Sequence, residues 1–161
     1  MMESIRIVFT PSNVSFMMEG LKLALLISVG VVILSIIFGT VLGLLRNYEK
    51  KVFGKLAGAY IELFRNTPLL LWMLSCSFLI PGSTITLKGS FALFLYTSAV
   101  VAEIVRGGLN SIPKGQFEAA HSQGFSFMQS LWYIVLPQAF KKIVPSLLSQ
   151  VITTIKDTSF L

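Results

Sequence analysis

The stretch LALLISVGVVILSIIFGTVLGLL, residues 23–45, contains no charged side chain. About 20 consecutive apolar residues carry a helix across the hydrocarbon core of a bilayer, so this run predicts a membrane span over about residues 21–45. It is too long for the apolar core of a secretory signal, whose positive charges would also precede it. Here Arg46, Lys50, Lys51 and Lys55 follow the run, and the segment ahead of it is balanced in sign. Basic residues gather on the cytosolic side of a span, which places the N-terminus outside and the first loop inside. Ser35, Gly39 and Gly43 recur every four residues, so one helix face is small enough for a second helix backbone to approach closely.

Composition agrees with a lipid environment. Hydrophobic residues make up 54% of the 161 positions and charged residues 12%, with a mean hydropathy of +0.78. That is more apolar surface than one soluble core of this size can hide. The net charge of +6 comes from Lys and Arg beside apolar segments rather than from a patch interleaved with aromatic residues, which argues for topology and against a nucleic-acid partner. Cys76 is the only cysteine, so no intrachain disulfide forms, and it reads as a small packing residue.

Three further apolar segments follow. The clean run over residues 69–80 is too short to cross unless its helix starts near Leu56, giving a second span over about 56–80. That start brings Glu62 and Arg65 onto one helix face three residues apart, the spacing of an ion pair. Pro68 removes a backbone donor and predicts a kink; Pro81-Gly82 turns the chain outside. A third span covers about 89–105 and ends on Glu103 and Arg106, the same acid-x-x-Arg spacing, before Gly107-Gly108, which reads as a helix break. A fourth covers about 140–156, with Pro145 in its first turns. The intervening segment, about 107–138, is too polar and too broken to span. Within it, Ser126 with Gln129 has the spacing of a capping box. Basic residues in the first and third loops, with only Lys88 in the second, place the 107–138 loop in the cytosol.

That loop carries Glu118-Ala119-Ala120, then Gly124, then Ile134-Val135-Leu136-Pro137. A short helix after Pro113-Lys114-Gly115 that turns at Gly124 is able to project from the bilayer. The spacing resembles the signature loop of the permease subunits of ATP-binding-cassette importers: Glu-Ala-Ala, three residues, Gly, nine residues, Ile, one residue, Leu-Pro. Further segments resemble the polar amino acid uptake branch of that family: residues 61–70 (IELFRNTPLL), 102–108 (AEIVRGG), 111–116 (SIPKGQ) and 156–159 (KDTS). Together they cover most of the chain from Tyr60 onward.

The resemblance implies an all-α polytopic helical bundle, of the methionine-importer permease type, forming a single transmembrane domain over residues 1–161. It implies a multi-pass protein of the bacterial inner membrane, surrounded by lipid. Its partners would be an ATPase subunit, a second permease subunit, identical or not, and an extracytoplasmic amino-acid-binding protein. Glu118, Ala119, Ala120 and Gly124 become the ATPase-coupling residues; read alone, Glu118 is a plain helix-start residue. Asp157, Thr158 and Ser159 become substrate-binding candidates, with Asp157 taking an ammonium or a basic side chain. Read alone, Asp157 pairs with Lys156 or caps a helix. Tyr96, Thr97 and Ser98 are weaker candidates, because such hydroxyls often bond their own backbone. Glu62, Arg65, Glu103 and Arg106 are structural ion pairs.

No catalytic role and no cofactor are expected on this chain; ATP and Mg belong to the partner ATPase. Gly54-Lys55 is followed by Leu56 rather than Ser or Thr, and lacks the other glycine of a phosphate-binding loop. His121, the only histidine, has no companion ligand, so no metal is expected. Two departures from the family stand out. The chain stops at Phe160-Leu161, where a further membrane helix would start, and the connection between the second and third spans is short. An inactive or partial permease is therefore an alternative. So is an ion-coupled secondary transporter in which Glu62, Glu103 and Asp157 are ion sites, although that reading leaves the loop pattern unexplained.

Overall fold

The computed structural model describes residues 10–49 and 51–161. The N-terminal tail, whose balanced charge entered the topology reading, lies largely outside the described residues, as does Lys50. The described residues form helices, named here α1 (Pro11–Tyr48), α2 (Val52–Arg65), α3 (Leu69–Leu79), α4 (Ile85–Asn110), α5 (Lys114–Ser122), α6 (Phe127–Ser130) and α7 (Leu136–Asp157). A π-turn over Leu131–Val135 joins α6 to α7, and a short 3-10 turn over Thr158–Phe160 follows α7.

α1 starts well before residue 21. Thr10 caps it by accepting a hydrogen bond from Asn13 N–H, and Pro11 sits in the first turn, where its missing donor costs nothing. At about 1.5 Å per residue, its 38 residues reach about 57 Å, beyond the roughly 30 Å of a hydrocarbon core. α1 and α4 are the two described helices long and apolar enough to cross a membrane.

α4 is the hub. A Cβ placed on Gly39 would stand 2.6 Å from the Ser98 carbonyl oxygen, and one on Gly43 would stand 2.5 Å from that of Ala102. Ser35 Oγ donates to the Phe94 carbonyl at 3.3 Å. The small-residue face of α1 therefore lies against the backbone of α4, with 35, 39 and 43 matched to 94, 98 and 102. Both numbers rise together, so the two helices run parallel. α3 and α7 run the other way: Lys88 Nζ donates to the Ser77 carbonyl, Met73 and Cys76 cluster with Leu93 and Ala92, and Ile143 packs on Gly108. Residues 46–49, 51–55 and 107–138 consequently share one end of the bundle.

The expected second span differs from a kinked single helix. α2 stops at Arg65 and α3 starts afresh at Leu69. Thr67 Oγ1 donates to the Leu63 carbonyl at 3.0 Å, supplying a donor to an acceptor that the end of α2 leaves without its helical partner. α4 also exceeds its expected bounds at both ends. Thr84 caps it by accepting from Leu87 N–H, and the helix runs through Gly107-Gly108 to Asn110. The glycines do not break it because Ile143 fills the space where a Gly108 side chain would stand. The fourth segment begins as a helix near Phe127, far ahead of residue 140. It opens on the capping box anticipated from Ser126 and Gln129, with both reciprocal bonds present.

The glycine contacts give a test. Gly43→Val drives a side chain into the α4 backbone and should destabilise the bundle by about 1–3 kcal/mol, seen as a lower midpoint of thermal unfolding in detergent. Gly30→Ala, with nothing within 4 Å of its Cβ, should match or exceed the parent. Equal midpoints for Gly43→Val and the parent would refute the close approach.

Candidate functional site

At the end of the bundle that holds residues 46–49 and 51–55, charges from three helices converge. Arg46, one turn beyond Gly43 on α1, donates to Glu62 of α2 at 2.6 Å and to Glu103 of α4 at 3.4 Å. Arg106 grips the Glu103 carboxylate through Nε, at 3.1 and 3.0 Å, and through a second guanidinium nitrogen. Arg65 approaches Glu103 only to 3.8 Å. Glu103 and Arg106 thus pair as their spacing suggested. Glu62 does not pair with Arg65: its partner is Arg46, fifty-seven positions from Glu103 and sixteen from Glu62, which the helical spacing rule does not reach.

Below this network hangs the signature segment. α5 starts behind Pro113 and closes as a Schellman motif: Phe125 N–H donates to the Ala120 carbonyl and Gly124 N–H to that of His121. Such a motif needs a left-handed residue just past the helix, and Gly124 has φ +82. Phe117 stacks on Phe127 at 6.0 Å, Tyr48 meets Phe127 edge-on at 6.0 Å, and Gln138 Nε2 donates to Gln116 at 3.0 Å. Ala120 is buried beneath the helix, while Glu118 and Ala119 face outward with Gly124. His121 Nδ1 lies 3.0 Å from the Phe125 carbonyl oxygen. The four coupling candidates therefore divide into two outward side chains, one anchor and one turn residue.

Ile134, Leu136 and Pro137 fall where the helix widens into the π-turn. Pro137 offers no N–H to the preceding turn, and Leu136 N–H reaches back five residues to the Leu131 carbonyl. Gln138 Nε2 also donates to the Ile134 carbonyl at 3.0 Å. No pattern in the sequence announced this widening.

The substrate candidates separate. Asp157 lines an open cavity of about 480 Å³ together with Arg65, Tyr96, Gln150, Thr153 and Phe160. Its carboxylate makes no ion pair with Lys156 and no side-chain hydrogen bond among the described residues. Thr158 is buried with its hydroxyl donating to the Ile155 carbonyl at 2.6 Å, and it borders a different cavity, against Leu23 and Thr86. Ser159 is exposed and lines neither. Of the weaker candidates only Tyr96 reaches the larger cavity. Ser98 is bonded to Tyr60 at 2.8 Å and to the Leu95 carbonyl, and Thr97 is buried without a hydrogen-bond partner among the described residues. Gln150, Thr153 and Arg65 escaped the sequence as cavity residues. Gln150 and Thr153 carried no motif, although with Asp157 they follow a three-to-four-residue spacing on one face of α7. The cavity is bordered by Pro68, Leu69 and Leu70 at the α2–α3 break, in keeping with the rule that irregular backbone at membrane depth lines a cavity.

A helical bundle with a projecting helical segment at one end and a cavity that carries Arg65, Gln150, Thr153 and Asp157 beside a broken helix suits a membrane transport subunit, and the comparisons agree. Residues 32–161 match the family described as "Binding-protein-dependent transport system inner membrane component", and the chain belongs to that family. It is 39% identical over 94% of its length to 71% of a probable glutamine ABC transporter permease protein, GlnP, of Bacillus subtilis. It is 33% identical over 91% of its length to 71% of the glutamate/aspartate import permease protein GltK of Escherichia coli O6:H1. Among solved structures, an amino acid ABC transporter crystallised with histidines superposes with a TM-score of 0.82 at 31% identity, covering 92% of this chain and 73% of that one. The fold is that of the ABC importer permeases, an all-α polytopic membrane protein.

Gly124 offers a direct check on the loop. An L-residue in the left-handed region costs about 1–2 kcal/mol, so Gly124→Ala should loosen the end of α5, read as faster amide exchange at Phe125 and at the helix termini. Unchanged exchange would show that the turn is not held by this geometry.

Proposed function

We propose that the chain is the permease subunit of an ATP-driven importer for polar amino acids. It works by alternating access, and a separate ATPase docked on α5 supplies the energy. One observation carries this reading: α5 presents Glu118 and Ala119 outward from a base fixed by Phe117, Ala120 and the Gly124 turn. A rigid, small-surfaced helix transmits displacement, because its anchors move with it. A neighbouring subunit that grips Glu118 would pull on the π-turn and on α7 through Phe127 and Gln138. The carboxylate suits a cationic group on the ATPase.

The substrate class is supported by the names of the relatives, which concern glutamine and glutamate with aspartate, and by the cavity chemistry. An amino acid is a zwitterion, so a site for it within a membrane needs an acceptor for the ammonium and donors for the carboxylate. Asp157 provides the acceptor. Tyr96, Gln150 and Thr153 add polar groups around it. The orientation follows from charge: both basic loops share the end that carries α5, which is the cytosolic end by the positive-inside rule, and the N-terminus is then outside. ATP and Mg belong to the partner. A second permease subunit completes the pathway, and an extracytoplasmic binding protein delivers substrate at the opposite end.

The test is assembly and coupling with the ATPase. Glu118→Ala should reduce association with the ATPase roughly tenfold, the loss of about 1.4 kcal/mol, and lower substrate-stimulated ATP hydrolysis in proteoliposomes to a similar degree. A variant that binds and couples as the parent does would sink the docking role, and protease access to residues 116–122 only from the outer face would sink the orientation.

A further inference from the structure

The charged network has a surplus. Three guanidinium groups, Arg46, Arg65 and Arg106, face two carboxylates, Glu62 and Glu103. Glu103 is already occupied: Arg106 reaches both of its oxygens through Nε, and Arg46 adds a contact to Oε2 at 3.4 Å. Glu62 is held by Arg46 at 2.6 Å. Arg65 is left with one contact at 3.8 Å, longer than a hydrogen bond, and its side chain is 44% exposed. Of the three arginines it alone borders the cavity that contains Asp157. Its position in the last turn of α2 suits a cation without a carboxylate partner, since the helix macrodipole is negative there. A guanidinium offers five donors in a planar fork that matches a carboxylate bidentately.

We propose that Arg65 receives the α-carboxylate of the transported amino acid while Asp157 holds its ammonium, making Arg65 a specificity-determining residue for α-amino acids as a class. This rests on the reading of the cavity as the substrate site. A cation and an anion line one cavity; among the described residues Asp157 has no ion-pair partner and Arg65 has only its 3.8 Å contact with Glu103, and together they match the two charges of a zwitterion. Tyr96, Gln150 and Thr153 are neutral and tolerate varied side chains. Arg65 would leave a weak contact with Glu103 for a strong one with substrate, and Glu103 loses little because Arg106 and Arg46 stay in place.

The experiment measures equilibrium binding of labelled L-glutamine and of L-glutaminamide, whose α-carboxylate is replaced by a neutral amide, to the permease assembled with its ATPase. Parent protein should bind glutamine at least tenfold more tightly than glutaminamide. Arg65→Gln should weaken glutamine tenfold or more and leave glutaminamide within twofold, whereas Asp157→Asn should weaken both. Arg65→Lys, which keeps the charge without the fork, should cause an intermediate loss confined to glutamine; it also carries the test if Arg65→Gln does not assemble. Equal losses for both ligands in the Arg65 variants would assign the residue to the ion network alone and overturn the proposal. Loss for labelled L-glutamate but not for glutamine would overturn it as well, by moving the contact to an acidic side chain. If Asp157→Asn changes neither ligand, the cavity reading itself fails, whatever Arg65 does.

Discussion

The contact between α1 and α4 sets the rest of the bundle. Lipid tails are as apolar as the helices, so burial from water does not drive helices together, and close packing with interhelical hydrogen bonds must do so. Ser35, Gly39 and Gly43 supply both: two absent side chains and one hydroxyl bonded to the Phe94 carbonyl. With 39 against 98 and 43 against 102, the next turn of α1 has one place to go, and Arg46 arrives beside Glu103. From there it also reaches Glu62. A single arginine thereby ties α1, α2 and α4 at one level. It stands one turn beyond a glycine whose packing determines whether it arrives there.

The same end of the bundle carries the projecting helix, and its stiffness has separate sources. Aromatic contacts from Phe117 and Tyr48 to Phe127 fix its base, the Schellman closure at Gly124 fixes its end, and the capping box at Ser126 restarts the chain at once. Between Ser122 and Phe127 there is no room for a slack linker. The apolar face of α7, with Ala139 and Ile143, packs on Val105 and Leu109 of α4, so the helix that carries α5 is bound to the same hub as α1.

Much of this was legible in the sequence, for identifiable reasons. Residues 23–45 announced their helix because an uncharged run of that length has one stable fate in a bilayer. The four-residue spacing of Ser35, Gly39 and Gly43 announced its packing face, and Glu103 with Arg106 and Ser126 with Gln129 announced pairs that helical geometry closes locally. What escaped depended on chains distant in sequence. Glu62 stands at pairing distance from Arg65 along one helix, yet a better-aligned guanidinium arrives from α1. Gly107-Gly108 reads as a break, and Ile143 makes it a contact. Pro68 signals a kink, but the chain ends one helix at Arg65 and starts another at Leu69, with the Thr67 hydroxyl bonding the Leu63 carbonyl in the last turn of α2. The cavity is assembled from α2, α3, α4 and α7, so its composition has no linear signature. Asp157 was singled out by its motif, whereas Gln150 and Thr153 joined it only through the helical face they share.

The break at 66–68 connects the two regions. An unbroken helix there would place Arg65 inside a regular span, where its charge would need full compensation, and Glu103 would be the obvious partner. Ending α2 at Arg65 changes that balance. The guanidinium sits at the negative end of a helix dipole, beside an open cavity and on the border of a network already neutralised by Arg46 and Arg106. Charge at this position is stabilised by geometry instead of by one tight ion pair, so its donors stay available. The irregular backbone that a proline imposes thus does more than turn the chain: it holds a cation at the edge of the cavity that Asp157 lines, close to the network that ties α1, α2 and α4 at the end from which α5 projects.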